Sequence, residues 1–401
     1  MTVDFDLLPE QVRLRDETRE IAHDVLAGVR EIAQSGADPT ERFTATRPMY
    51  RGLIEAGLLR QLIPVTEGGE QQRLLDVALI AEELMAVDAN VPLTLMATSL
   101  GLAPVIHAGT TSQRSQLLAP FLSGSGDPLA AFGLTEPDGQ ANFDSPSPHG
   151  LGTTAFRSSH GWTIDGSKKW VSNISGWEGT GANLTTLVCR TPQEGNSESL
   201  SILALTGPVH GLQVTNAPEL LGYRAHLTPT VTYTKSPAPA NALIGAAGEG
   251  THIVGSSFLP SVALVGAFSL GLMRSAFEFS LNFARTERCG GAFPIIDYPT
   301  VGYALADAKT SIEAVRALTY RACRALDAGS PNARELALHA KIFGSENAAS
   351  TITALMRVVG VNAYSHDVPL AGLLQDALAM PVFGGSNDGV RRRQLHGLLR
   401  S

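Results

Sequence analysis

The stretch from Ile253 to Arg285 is apolar almost all the way round a helical period, so no face of it suits water. Several other helices are needed to bury it. Two follow directly. Tyr298–Leu326 reads as a long helix, and Ser330-Pro331, a cap followed by proline at a first helical position, opens another that runs to about Val359. Pro369 and Pro381 interrupt what comes next, and a short helix from about Val390 closes the chain. Helix also dominates the start. Pro9 suits a first helical position, and Leu14, Thr18, Ile21, Ala22, Val25 and Leu26 keep helical spacing. A second helix around Arg51–Leu58 ends near Gly57, and Leu62-Ile63-Pro64 then meets the breaker Gly68-Gly69. From Leu74 to about Val105 the chain is almost continuously apolar, interrupted by Glu82 and Glu83, as in buried bundle helices.

Near Gly126-Asp127-Pro128 the texture changes. Short apolar runs at Thr153–Phe156, Trp162–Ile164, Leu184–Cys189, Leu200–Leu205, Leu212–Val214 and Thr228–Tyr233 read as strands between turns. The expected class is therefore α+β in three parts: a helical domain over 1–127, a β domain over 128–240 and a helical bundle over 241–401.

Composition narrows the function. Over 401 residues, 44% are hydrophobic and 17% charged, which supports a packed core. The net charge of −8 argues against a nucleic-acid partner, and Arg391-Arg392-Arg393 reads as a solvated helix face. Cys189, Cys289 and Cys323 form no metal-binding spacing, so no metal is expected. The acidic N-terminus lacks a leader's apolar core, and no run long enough to span a membrane is read, so a cytoplasmic setting is expected.

Two elements carry chemistry. Ala130-Ala131-Phe132-Gly133-Leu134-Thr135-Glu136-Pro137 resembles the A-x-T-E-P signature of acyl-CoA dehydrogenases. Gly166-Ser167-Lys168-Lys169-Trp170-Val171-Ser172-Asn173 resembles the same family's G-x-K-x-W-I-T-N element. Phe5–Gln11 is similar to the family's first helix start, Gly57 through Gly69 to its G-L … P-x-x-x-G-G turn, and Gln375-Asp376 to its C-terminal Arg-Asp pair. The resemblance spans nearly the whole chain. It implies a helical domain, a β domain and a C-terminal four-helix bundle, assembled as a homodimer or homotetramer, with a heteromer as the alternative.

It also implies a flavin between the β domain and the bundle, with Phe132, Leu134 and Thr135 on one side and Trp170 and Ser172 on the other. Taken singly, Trp170 reads as a core tryptophan and Thr135 as a strand residue. As a spaced set they offer the flat wall and the hydroxyl donors that an isoalloxazine requires. Ser386 is a further flavin-side candidate. Arg288 matches an arginine that reaches a neighbouring subunit's flavin pyrophosphate, the alternative being an ion pair with Glu287 or Asp297. Around it the family pattern is altered, with Gly291-Ala292, Pro299 and Arg357-Val358-Val359-Gly360-Val361 at nucleotide-holding positions. FAD is the implied cofactor, with FMN as the alternative.

The catalytic carboxylate is missing. The family's usual glutamate falls at Gly384, and its rarer placement falls near Ser261. Removing an α-proton needs a positioned base, and a serine hydroxyl does not suffice unaided. Asp388 lies close by, either as a relocated base or as the cap of the following helix. Ala141 stands where the family's substrate-contacting serine is usual. Three readings follow: a dehydrogenase of an unusual acyl thioester on CoA or an acyl carrier protein, a flavin monooxygenase or oxidase on the same fold, and a non-catalytic subunit of a heteromer.

Overall fold

The structure is a computed structural model that describes residues 7–139, 141–146, 148–192 and 199–400. Phe5 and Asp6 of the N-terminal motif, and Gln140, lie outside the described residues.

Seven helices come first: α1 (Pro9–Val25), α2 (Val29–Gln34), α3 (Pro39–Ala45), α4 (Arg47–Glu55), α5 (Leu74–Val87), α6 (Asn90–Ala108) and α7 (Thr111–Leu122). Pro9 takes the first helical position of α1 as expected. The apolar run from Leu74 is two helices, because Asp88 accepts from Val91 N (2.8 Å) and Asn90 Nδ2 (2.9 Å) and so starts α6 afresh.

Eight strands follow: β1 (Ala130–Gly133), β2 (Thr154–Ser158), β3 (Gly161–Lys168), β4 (Leu184–Arg190), β5 (Leu200–Leu205), β6 (Leu212–Asn216), β7 (Thr230–Ala238) and β8 (Leu243–Ile244). They form one sheet in the order β6-β7-β3-β2-β4-β5-β8, with β1 parallel to β4. β1, β4 and β5 are buried on both faces, since α6 covers β1 and β4 while α8 lies against β5.

The chain ends in α8 (Gly250–Thr286), α9 (Pro299–Asp327), α10 (Ala333–Val359), α11 (Leu370–Ala379) and α12 (Arg392–Leu398). α8 packs against α5, α9 and α10, which explains its apolar circumference. Closeness is enforced at Gly271, where an added Cβ would lie 2.5 Å from Met85 Cβ. The α10 start differs from expectation. Asn332 occupies the cap position with no side-chain bond, while Ser330 O accepts from Ala333 N in a turn before the helix. Two helices, α6 and α8, are long and apolar enough to cross a membrane, contrary to the sequence reading. Both are largely buried within the protein, as core helices are.

Candidate active site

The first wall of the site grows from the end of β1. Beyond that strand, Thr135 O accepts from Lys169 N (2.9 Å), which binds the Thr-Glu-Pro segment to the turn after β3. Beneath it Glu136 is nearly buried. Its carboxylate accepts from Lys168 Nζ (2.7 Å), Gly152 N (2.6 Å) and Thr153 N (3.0 Å). Burial would raise the Glu136 carboxyl, but Lys168 and these donors outweigh it and hold it below its ordinary value. Lys168, wholly buried, also donates to Leu134 O (3.2 Å). This pair is committed to holding the two motif segments together.

Trp170 and Asn173 both adopt left-handed backbone, with φ of 59° and 68°. Buried Asn173 stabilises that turn by donating to Thr94 O (3.0 Å), Thr98 Oγ1 (3.1 Å) and Ala130 O (3.1 Å). The result presents Trp170 outward at 48% exposure, with Lys169 Nζ over the ring at 4.9 Å. Trp170 is therefore not a core tryptophan. Close by, Ser172 Oγ lies 2.8 Å from His226 Nε2, and His226 Nδ1 lies 2.9 Å from Thr94 Oγ1. Burial drives the imidazole down to about 3, so it is neutral at physiological pH and donates at one nitrogen while accepting at the other between Thr94 and Ser172. Phe132 stacks obliquely against Phe258 of α8 at 5.0 Å, and joins the β wall to the bundle. An exposed aromatic face beside hydroxyls and backbone amides suits a flavin ring, and Phe132, Leu134, Thr135, Trp170 and Ser172 are its candidate wall.

The second wall is a cavity of about 520 Å³ between the β domain and the bundle. Leu134, Ala141, Phe143, Phe258, Leu259, Val262 and Leu338 supply its apolar surface. Arg334, Arg391, Arg393 and Gln394 supply most of its polar side. Asp144, itself exposed, is the one carboxylate among the lining residues.

Gly384 sits on the loop between α11 and α12. Lys341, buried in α10, holds that loop by donating to Met380 O (3.1 Å), Pro381 O (3.2 Å) and Asn387 Oδ1. Asn387 in turn donates to Ser345 Oγ (3.0 Å). Gly384 has φ of 60°, and a Cβ there would meet Val265 Cγ2 alone, at 3.7 Å. Its carbonyl accepts from Arg391 Nε (3.1 Å) and Nη2, while Arg391 Nη1 donates to Gln394 Oε1 (2.9 Å). Arg391 is 6% exposed and has no carboxylate partner among the described residues. Burial, with the charge of Arg334 adding to it, lowers its guanidinium to about 10.

Several sequence expectations need correction. The arginine run is not one solvated face. Arg391 points inward, Arg392 pairs with Asp388 and Glu346, and Arg393 donates to Asn142 Oδ1 (2.6 Å). Asp388 neither caps the helix nor reaches the cavity. Its side chain is 89% exposed in the ion pair with Arg392, because the cap is Ser386, whose Oγ accepts from Gly389 N (3.1 Å). That bond gives Ser386 a structural task, and it does not line the cavity. Arg288, exposed just past α8, donates to Ala292 O (2.8 Å) and lies away from this chain's own cavity, as a residue expected to serve a neighbouring subunit would. Ser261 bonds back to Phe258 O (2.7 Å) within α8. The residues that sequence patterns did not single out are His226, Thr94 and Arg391. Only the last carried a signal, the triple arginine, and it pointed to the surface.

This architecture, a helical domain, a β sheet and a helical bundle, is that of a flavin enzyme. The chain matches "Acyl-CoA dehydrogenase, N-terminal domain" over residues 8–125 and "Acyl-CoA dehydrogenase, C-terminal domain" over residues 248–397. It belongs to the acyl-CoA dehydrogenase family and is a flavin-dependent oxidoreductase acting on a small molecule. Among its relatives, nitroalkane oxidase of Fusarium oxysporum is 34% identical, covering 99% of this chain and 95% of that protein. The Podospora anserina nitroalkane oxidase is 35% identical, covering 100% and 96%. Short-chain specific acyl-CoA dehydrogenase of Bos taurus is 26% identical over 98% and 91%. A solved nitroalkane oxidase, an active-site mutant crystallised with 1-nitrohexane, superposes with a TM-score of 0.95 at 32% identity, over 100% of this chain and 97% of that one. Another solved structure addresses the roles of an aspartate, and of an arginine seven positions after it, in that enzyme's reaction.

Proposed function

We propose that this protein is a flavin-dependent oxidase of small nitro compounds, taken as the acid or its conjugate base, and not a desaturase of acyl thioesters. The observation that carries this reading is the pair Gly384 and Arg391. Their spacing equals that of the aspartate and arginine studied in nitroalkane oxidase, and on that match this chain has the arginine and a glycine in place of the carboxylate. Whole-length identity above 30% to two nitroalkane oxidases supports it further. Desaturation would need a carboxylate against the substrate's α-carbon, and Gly384 and Ser261 provide none.

When bound, the flavin would accept two electrons from substrate and return them to dioxygen. Leu134, Thr135, Trp170 and Ser172 would hold its ring, with FAD as the form that the family resemblance implies. The chain's own contribution is placement. Leu259, Val262 and Leu338 receive the alkyl part, and Arg391 faces the polar head. Self-association belongs to the same reading, since Tyr303, Val361 and Tyr364 are exposed apolar side chains of the C-terminal helical part, at 70%, 87% and 86%.

The flavin-loaded protein tests this in an oxygen electrode. Oxygen uptake with nitro compounds, without anaerobic bleaching by acyl-CoA thioesters of any chain length, is the expected result. Bleaching by an acyl thioester would overturn it.

A further inference from the structure

Arg391 is a buried guanidinium that, among the described residues, donates to a carbonyl and an amide oxygen alone. Its Nε and Nη2 donate to Gly384 O and its Nη1 to Gln394 Oε1, and none of its described partners is an anion. A buried cation without a counter-charge is costly, and such a group strongly favours any anion that can reach it. Here one can, because Arg391 lines the cavity. Arg334 and Arg393 line the same cavity, and the single carboxylate there, Asp144, is exposed. The positive charge around the cavity is therefore not balanced from within the described chain.

Resting on the nitro-compound reading above, we propose that the substrate itself supplies the missing negative charge: the cavity takes an alkyl nitronate, the already deprotonated form of a nitroalkane, with its charged oxygens on Arg391. The chemistry fits the missing base. A nitronate has no α-proton left to remove, so a glycine at position 384 costs nothing in this step. The balance is R–CH=NO₂⁻ plus water plus oxidised flavin, giving R–CHO, nitrite and flavin reduced by two electrons. The carbon–nitrogen bond breaks, a carbon–oxygen bond to water's oxygen forms, and both hydrogens of water end on the reduced flavin. Dioxygen would then take the two electrons back from the bound flavin, giving hydrogen peroxide. The aliphatic lining of Leu259, Val262 and Leu338 suits the R group, and guanidinium geometry suits two adjacent oxygens.

Anaerobic stopped-flow mixing of the flavin-loaded protein with freshly prepared nitronate, or with the neutral nitroalkane, decides the matter. Carbon acids reprotonate slowly enough for the two forms to be compared at one pH. Flavin reduction at least about 100-fold faster with the nitronate is expected. Equal rates would overturn the inference while leaving the nitro-compound reading intact, whereas no reduction by either form would overturn that reading as well. Binding is read separately by titrating inorganic nitrate, a planar mimic of the charged group, against the flavin absorbance. Arg391→Gln should weaken nitrate by about tenfold or more, the scale of a charged hydrogen bond, and Arg391→Lys by less. Unchanged nitrate affinity in a folded, flavin-loaded Arg391→Gln protein would exclude Arg391 as the anion's partner.

Discussion

At the residue scale, the site depends on small backbone facts that side-chain motifs do not reveal. Gly385, at φ 81°, lies where a Cβ would come within 2.8 Å of the Arg391 guanidinium carbon. Gly385→Ala should therefore cost about 1–2 kcal/mol of stability for the left-handed backbone and also displace the guanidinium. Thermal unfolding and nitrate titration check the two effects. His226 offers a pH signature. Its folded pKa, about 3, lies below the ordinary 6.5, so the unfolded chain binds the extra proton between those values. Stability present above pH 6.5 is lost as pH falls toward 3, with a steepest slope of about 1.4 kcal/mol per pH unit. Denaturant melts across pH 4–7 should show His226→Gln with a flatter profile than the parent. Neither residue was legible beforehand. A lone histidine before β7 carries no pattern, and the direction of Arg391 depends on the turn that precedes α12.

Among elements, length and uniformity decided what could be read from the sequence. α8, α9 and α10 were legible because each keeps one periodic signal for many turns. α5 and α6 read as one stretch because Asp88 ends one helix and starts the next inside an apolar run, although Pro92, in the first turn of α6, marks the new start. β1 stood out as a motif but not as a strand, since Ala130–Gly133 has too few residues to show alternation. β8, of two residues, was invisible. The close seam between α8 and α5 is testable here. Gly271→Ala inserts a methyl 2.5 Å from Met85 Cβ and 2.7 Å from Glu82 O, and should destabilise by about 1–3 kcal/mol, seen as a lowered Tm with the same flavin spectrum.

On the scale of the whole molecule, Glu82 and Glu83 join the two helical parts. They interrupted an apolar run in the sequence, and their partners lie far away along the chain. Arg274 of α8 reaches Glu82 (3.1 Å) and Glu83 (2.5 Å), Arg316 of α9 reaches Glu82 (2.8 Å), and Arg19 of α1 reaches Glu83 (2.9 Å). Removing Arg274 takes away the one cation both glutamates share and leaves each with a single arginine, so Arg274→Ala should cost about 1–3 kcal/mol, measurable by chemical denaturation. The fold class was legible because its elements are contiguous patterns, and the proposed flavin wall likewise rests on contiguous motifs. The cavity's charge was not, because it is assembled from α10, the α11–α12 loop and the β domain.

The account turns on the absence of a carboxylate beside Arg391, and returning one tests it most directly. Asp is among the few residues that tolerate left-handed backbone, and at Gly384 its Cβ would have only Val265 as a close neighbour. In Gly384→Asp, anaerobic reduction of the flavin by a neutral nitroalkane should rise at least about tenfold, while nitrate binding weakens as the new carboxylate claims Arg391. A parent protein that already reduces its flavin rapidly with neutral nitroalkane, and a variant that gains nothing, would contradict the account.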